Sequence, residues 1–360
     1  MWQPSSAAPI HWQWQLDTPL NMSTDLIPGV TVYDVDMFDN TGDVSTPASV
    51  SKTTVNALHA LGFKVIAYID VGTAEPGRPD SSSFPASVKG NGVQGWQGEY
   101  WLDIRQLSIL QPIMQNRFAM AAAAGFDAVE IDNIDGCTNN TGFPLTTAEQ
   151  LTYDEWCMQA VHALGMAVCQ KNWIEECSVL SAYADFDLDE EAYYYNDPVQ
   201  NLVTYYVDQG KAVFEVEYTS DIGKSTEQCP TMTGDHINSM TLDEDLVAPT
   251  TSGYYRVPCV PDTQSTWSGA PAANSFSPGS VQTAAFSSSG VLPSGKSCSV
   301  TVIVGTSSGS QTFTSTGTTQ SFSISVTMPS TFGTYPVYID IYMEGILVKS
   351  VTDPNQITVV

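Results

Sequence analysis

The sequence predicts a (β/α)8 TIM barrel followed by a small all-β sandwich, and three observations carry that prediction. Between residues 10 and 245, eight runs of strand length alternate with stretches of helical periodicity. Three junctions repeat one pattern: Leu61-Gly-Phe-Lys-Val65, Ala124-Gly-Phe-Asp-Ala128 and Leu164-Gly-Met-Ala-Val168 each close a helix on glycine and enter a strand. After Cys259 the helical pattern stops, and Ser, Thr, Gly and β-branched residues alternate instead. A doubly wound sheet would give the same local signals, but eight units point to the barrel.

Strands are expected at Trp12–Leu16, Thr31–Asp36, Lys64–Asp70, Ala128–Asn133, Ala167–Asn172, Asp185–Glu191, Ala212–Tyr218 and Ile237–Leu242. Helices are expected at Val50–Leu61, Pro112–Ala124 and Thr147–Leu164, each with apolar residues at helical spacing. Residues 1–262 form the barrel domain in this reading, and residues 263–360 the sandwich, with a linker over Pro261–Pro278. Sandwich strands are marked by Cys298–Val304, Gln320–Thr327 and Pro336–Tyr342, and turns by Met343-Glu-Gly and Asp353-Pro-Asn.

The chain has 360 residues, 39 acidic and 12 basic, for a formal net charge of −27. Residues 263–360 carry only Asp340, Glu344 and Asp353 against Lys296 and Lys349, so residues 1–262 hold 36 acids and 10 bases. Such an acidic body repels nucleic acid and anionic membranes and attracts cationic ligands. It also fits an acidic habitat, where many carboxyls are protonated. No apolar run approaches membrane-spanning length. The opening Met1-Trp-Gln-Pro-Ser-Ser lacks the regions of a leader. Low lysine content, the Ser/Thr/Gly-rich C-terminus and sequons at Asn21 and Asn139 favour secretion, with Met1 standing in for a removed leader. Seven cysteines fit an oxidising compartment with at least one unpaired, and Cys169, in a core strand, is the expected free thiol. Neither the cysteines nor the four histidines show metal-site spacing, so no metal and no cofactor are expected. A monomer is expected.

The strand ends carry the chemistry. Strand two ends in Asp34-Val-Asp36, strand three in Tyr68-Ile-Asp70, strand four in Glu130-Ile-Asp132 and strand seven in Glu215-Val-Glu217. Alternation puts both polar members of each pair on one face, expected to be the inner one. Inward carboxylates at the C-terminal mouth would repel and raise one another's pKa, which marks a site more than a scaffold. The aromatics Trp12, Trp14, Trp96, Trp101, Trp173, Tyr193 and Tyr218 could add flat platforms for sugar rings.

With these motifs in view, the chain resembles glycoside hydrolase family 114. The resemblance rests on Trp12-Gln-Trp-Gln-Leu16, Tyr33–Asp39, Tyr68–Gly72 with Glu75 and Arg78-Pro-Asp80, Trp96–Arg105, Gly125–Gly136, Asn139–Phe143 and Phe214–Tyr218. It covers residues 10–245. It implies a secreted, endo-acting TIM-barrel enzyme that cuts α-1,4 bonds in galactosamine-containing polysaccharide with two carboxylates. The family's acidic motif falls on Asp132, with Ile131 where proline is usual. The second carboxylate falls on Glu190, within Asp189-Glu-Glu-Ala192, where an asparagine and a cysteine of the family pattern are missing. Strict alternation from Asp185 and Asp187 would instead turn Glu191 inward, so Glu191 competes for the role.

On this reading Asp132 is the nucleophile, and Glu190, crowded by other acids, is the acid/base. Asp36, Asp70, Glu215 and Glu217 would pair with the substrate's ammonium groups. Glu130 would support Asp132. Lys171 and Asn172 would bind hydroxyls or orient a carboxylate, and Tyr68, Trp173 and Tyr218 would complete the substrate-binding surface. The alternatives are a glycosidase acting on neutral α-galactosides and a non-catalytic glycan-binding barrel.

Overall fold

The computed structural model describes residues 1–27, 30–38, 52–260, 263–268, 275–288, 295–316, 320–343 and 346–360. Asp39, the start of the helix expected at Val50, the Glu344-Gly345 turn and residues 261–262 and 269–274 of the expected linker lie outside the described residues. Eight parallel strands form one curled sheet: β1 Trp12–Gln15, β2 Val32–Asp36, β3 Lys64–Asp70 and β4 Ala128–Asp132 are followed by β5 Ala167–Lys171, β6 Phe186–Glu190, β7 Val213–Tyr218 and β8 Asn238–Leu242. Each differs from its expected bounds by no more than one residue at either end. At β4, β5 and β6 the reason is visible in the next residue. Asn133 (φ 59°), Asn172 (φ 51°) and Glu191 (φ 58°) are left-handed and turn the chain out of the ladder.

Arg256–Pro258 pairs antiparallel with β8. Among the described residues, β1 and β8 are joined by side chains: Trp12 Nε1 donates to the Asn238 carbonyl (3.0 Å) and Arg256 Nη2 to the Trp12 carbonyl (2.8 Å). The helices α1 Lys52–Ala60, α2 Leu107–Ala124 and α3 Thr147–Ala163 pack outside. Helix α2 starts before the expected Pro112, which sits inside it although proline favours a first turn. Helix α3 opens on a capping box between Thr146 and Glu149.

At the lower rim one clasp occurs twice. His59, from α1, contacts Asp127 (2.7 Å), whose carboxylate also accepts Val65 N (3.0 Å). His162, from α3, contacts Asp185 (2.7 Å), which accepts Val168 N (3.0 Å). Each acid ties a helix end to the start of a neighbouring strand. Asp127, one of the acids in the Gly125–Gly136 stretch, is thereby structural.

Two cores follow from strand alternation. Trp12, Trp14, Ile66, Ala128, Phe186, Leu188, Phe214 and Val216 fill the lumen. Val65, Ile69, Val129, Ile131, Val168 and Val213 face outward into the main core. Because Leu188 and Val216 point inward, Asp187, Asp189, Glu215 and Glu217 point outward. The expectation that Glu215 and Glu217 line the mouth is therefore wrong. Alternation holds, but β7 runs in the opposite phase, with Phe214, Val216 and Tyr218 inside. The same phase settles β6: Asp185 and Asp187 are on the outer face, so Glu190 turns inward.

The outward acids form a buried layer, with Asp189 paired in register to Glu215. Both carboxyl oxygens of Asp187 and of Glu215 lack a hydrogen-bond donor among the described residues. Burial, then the neighbouring Asp189, raises the Asp187 pKa well above the carboxylate range. Burial, then Glu217, does the same to Glu215. Asp189 is pushed up to about 6, chiefly by burial.

The C-terminal part has a three-stranded sheet (Thr263–Ser268, Val281–Ser288, Ser321–Thr327) and a five-stranded one, which includes Ser297–Val304, Ser307–Thr314 and Gly333–Met343. Their inner faces meet through contacts such as Phe313 with Phe322, 4.7 Å between ring centres. The expected linker is partly strand, because Thr263–Ser268 joins the smaller sheet. Cys229 and Cys259 form a disulfide, and Cys169 is a buried thiol, as are Cys157, Cys177 and Cys298.

Raised carboxyl pKa values bind protons more tightly in the folded chain than in the unfolded one, so the stability they give is present at low pH and lost as pH rises through the raised values. The melting temperature should therefore fall between pH of about 5 and about 8. Glu215→Gln, which removes one such titration, should raise the melting temperature at the upper pH by about 2–4 °C while changing it little at the lower. Calorimetry at both pH values measures this.

Candidate active site

At the C-terminal mouth, five strands deliver inward residues to one place. Tyr68 comes from β3, Asp132 from β4, Lys171 from β5, Glu190 from β6 and Tyr218 from β7. Lys171 is at the centre. Its buried ammonium donates to Glu190 Oε2 and lies 3.7 Å from Asp132 Oδ1. It also sits over the Trp14 ring, 5.5 Å from the centroid. Burial disfavours its charge, but Glu190, Asp132 and Glu130 together outweigh that and keep it protonated.

Glu190 is the better supplied of the two acids. Besides Lys171 it accepts the Tyr218 hydroxyl on Oε1 and Asn172 Nδ2 on Oε2 (3.3 Å), while its own N–H donates to Asn172 Oδ1 (2.8 Å). Burial pushes its pKa up, yet Lys171, Tyr218 and Asn172 leave it below the ordinary carboxylate value. Asp132 Oδ2 accepts the Tyr68 hydroxyl at 2.7 Å and Asn133 Nδ2 at 3.3 Å. Burial raises its pKa, and the nearby Glu190 charge adds to this against the pull of Lys171. Both side chains remain partly open to solvent, Asp132 by 20% and Glu190 by 25%. Their electrostatics run opposite to the expected assignment: Glu190 is held below the ordinary carboxylate value and Asp132 above it. Crowding by acids does not raise Glu190, because its acidic neighbours on β6 face the other side of the sheet and a cation faces Glu190.

The other inward acids are engaged within the protein. Asp70 accepts Gly72 N (2.9 Å), Thr73 N (2.8 Å) and Asn133 Nδ2 (2.8 Å), which fixes the corner after β3. Asp36 accepts Phe38 N (2.7 Å) and pairs with Arg78, which also holds Glu75. Glu130 accepts Trp14 Nε1 (3.1 Å) below Lys171. Asp34 beside it is pushed up to about 8, mainly by burial. Glu217 accepts Tyr193 N (2.8 Å) and Tyr194 N (3.3 Å) from the outer face. Trp173, expected at the substrate, is left-handed and packs in the outer core. Glu191 lies on the rim, one residue past the end of β6.

The sequence reading assigns no part to Arg78 or Arg117, and it makes Trp14 a candidate platform for sugar rings, whereas its indole N–H is turned to Glu130. Arg117, fully buried, clamps Asp80 through Nε (2.7 Å) and Nη2 (2.9 Å) and donates Nη1 to the Asp70 carbonyl (2.8 Å). The Arg78-Pro-Asp80 motif was the available signal for that clamp. Beside the mouth, a cleft of about 400 Å³ is lined by Phe38, Glu75, Arg78, Trp96 and Glu99.

The family model for glycoside-hydrolase family GH114 matches residues 1–262. The chain belongs to glycoside hydrolase family 114. It is a glycoside hydrolase on a TIM-barrel fold. Ega3 of Aspergillus fumigatus, solved in complex with galactosamine, is 28% identical, with a TM-score of 0.61, over 72% of this chain and 97% of its own. The glycoside hydrolase domain of PelA from Pseudomonas aeruginosa, 12% identical with a TM-score of 0.50, shares the fold over 67% of this chain and 98% of its own. No curated protein matches the chain. Among the described residues, no helix is long and apolar enough to cross a membrane.

The corner behind Asp132 tolerates no side chain. A Cβ on Gly72 would lie 1.9 Å from the Asn133 carbonyl oxygen. Gly72→Ala must therefore move the backbone next to Asp132, and a shift of about 1 Å costs on the order of 100-fold in rate. Hydrolytic turnover should drop by at least about tenfold while circular dichroism still reports a folded barrel.

Proposed function

We propose that this chain is a secreted, endo-acting hydrolase of α-1,4-linked, galactosamine-containing polysaccharide, with Asp132 and Glu190 as its catalytic pair. Residues 1–262 would act as the catalytic domain and residues 263–360 as a separate sandwich. The observation that carries the chemistry is the single ammonium of Lys171 in contact with both carboxyls. The galactosamine bound by Ega3 and the acidic surface of residues 1–262 support the substrate class.

The shared ammonium also bears on stereochemistry. The 3.7 Å contact to Asp132, added to one hydrogen bond of about 2.8 Å, bounds the gap between the two nearest carboxyl oxygens at about 6.5 Å. Only a straight O–N–O line would reach that bound. The proposed mechanism is the retaining one, whose spacing of about 5–5.5 Å lies within that bound. Glu190, ionised, attacks the anomeric carbon, and Asp132 gives its proton to the departing oxygen. Asp132, now a carboxylate, takes a proton from water, and the resulting hydroxide displaces Glu190. Lys171 serves both halves. It faces the Glu190 carboxylate before attack and the Asp132 carboxylate while Glu190 is esterified.

The first test is product sizing on partly deacetylated polygalactosamine: wild type shortens the chains, and Asp132→Asn and Glu190→Gln lose at least about 100-fold in rate. Binding without shortening would leave only a glycan-binding barrel. Roles are read by azide rescue on an activated galactosaminide. Glu190→Ala should yield the β-azide and Asp132→Ala the α-azide; the opposite products would restore the assignment made from sequence.

The pH profile follows from the two shifts. Activity needs Glu190 ionised, so it is lost as pH falls through a pKa below the ordinary one. It needs Asp132 protonated, so it is lost as pH rises through a raised pKa. Lys171→Met removes a cation that lowers both, and both limbs of kcat/KM should move to higher pH, by about 1–3 units at the acid limb. A drop in rate with unmoved limbs would make Lys171 a mere packing residue.

A further inference from the structure

Next to Glu190, the rim carries a structure that the catalytic pair does not use. Glu191 N donates to the Val216 carbonyl (2.8 Å), and the Glu191 carbonyl accepts Tyr195 N (2.9 Å), closing a tight turn. Glu217 anchors that turn from beneath through Tyr193 N and Tyr194 N. Held this way, Tyr194 and Tyr195 are 47% and 63% exposed, their rings edge to face with centroids 4.9 Å apart. Large aromatic rings fixed in solvent by a buried carboxylate are poor packing and a good surface for a ligand face. From the loop after β7, Asp221 brings its carboxyl within hydrogen-bonding reach of the Glu191 carboxyl. Asp221 is placed there by its N–H to the Tyr218 carbonyl (3.1 Å) and by Ser220 Oγ (3.0 Å). Among the described residues neither acid has a cationic partner, whereas Asp36 and Glu75 share Arg78 and Glu190 has Lys171.

We propose that Tyr195, with Tyr194 bracing it, and the Glu191 and Asp221 carboxyls form a subsite for one hexosamine unit beside the scissile bond. The apolar face of the sugar lies on Tyr195, and its ammonium sits between the two carboxyls. The proposal rests on the polysaccharide reading above and deepens it: this subsite is where a free amino group is told from an acetamido group. An ammonium would neutralise the two carboxylates, while an acetamide could neither neutralise them nor donate more than one hydrogen bond. The neighbouring Tyr218, whose hydroxyl meets Glu190, ties the loop bearing Asp221 to the catalytic carboxylate. Occupancy of the subsite therefore aligns the chain with the attacking oxygen.

The test uses full-length protein and two polymers, fully deacetylated and fully N-acetylated α-1,4-galactosaminan. Tyr195→Ala should raise KM on the deacetylated polymer by about tenfold, with a smaller fall in kcat. Asp221→Asn and Glu191→Gln should raise KM on that polymer and leave the preference between the two polymers flattened by about tenfold. Equal KM changes on both polymers, or none, would overturn the proposal while leaving the hydrolase reading intact. If wild type cleaved neither polymer, the hydrolase reading would fail. The subsite would then be judged by affinity electrophoresis on the deacetylated polymer, where wild type must be retarded more than Tyr195→Ala. Melting curves of each variant exclude misfolding as the cause.

Discussion

The site depends on one buried ammonium. Lys171 is a cation inside a barrel, and an unpaired cation there would shed its proton. It keeps its charge because Glu190 and Asp132 face it from above, with Glu130 further along the strand face and the Trp14 ring alongside. The dependence runs in both directions. Without Lys171, both carboxyls would lose the cation that lowers them, and Glu190 would no longer be held below the ordinary range. With it, one is held below and the other above the ordinary range. That separation is what a two-carboxyl hydrolysis requires at a single pH.

Placement of the pair comes from where the strands stop. β4, β5 and β6 each end on their functional residue, and each next residue is left-handed. Asparagine accepts that conformation readily, and the two asparagines also serve the site, Asn133 bridging Asp70 and Asp132 and Asn172 bracketing Glu190. Glutamate does not favour it, so the strain at Glu191 is the local rule broken for a purpose. It ends the ladder one residue after Glu190 and throws the next side chains onto the rim. Asp70, Gly72 and Arg117 do the equivalent work after β3. Asp70 and Glu130, expected beside substrate, are hydrogen-bonded within the protein around the two carboxyls proposed to react.

The barrel, its strand order and the inward place of Asp132 at the end of β4 were legible because they depend on short-range signals: glycine after a helix, a run of strand length, an acid at the strand's end. The phase of β6 and β7 was not. Phe186, Leu188, Phe214 and Val216 are as apolar as any outward-facing residues, so period-two alternation says which residues share a face without saying which face is inside. An acidic residue at the mouth was taken as the sign of the inner face, and at β7 that sign was false. Glu217 serves the Tyr193–Tyr194 backbone and Glu215 is buried against the helices. Trp173 failed for a related reason, since a residue after a strand end faces wherever the turn sends it. The polarity of the Asp132–Glu190 pair also needed coordinates. It depends on which acids Lys171 can reach, and that is a matter of five strands meeting.

The formal charge of −27 needs rereading in this light. Many of the acids in residues 1–262 are not on the surface. Asp34, Asp70, Glu130, Asp154, Asp187 and Glu215 are buried, and burial is the leading cause that raises each of them. Protonated, these groups contribute nothing to the field that a cationic polymer meets, and counting them overstates the long-range attraction. Discrimination must then come from the few carboxyls that are both ionisable and reachable. Those lie in two places on the mouth: Glu75 in the cleft beside Trp96, where Arg78 already neutralises part of the charge, and the Glu191–Asp221 pair near Tyr195, which has no cationic partner among the described residues. On the proposed reading, a polymer at the mouth meets an exposed aromatic ring and a carboxylate in each of these two places, so recognition is carried by them more than by the net charge.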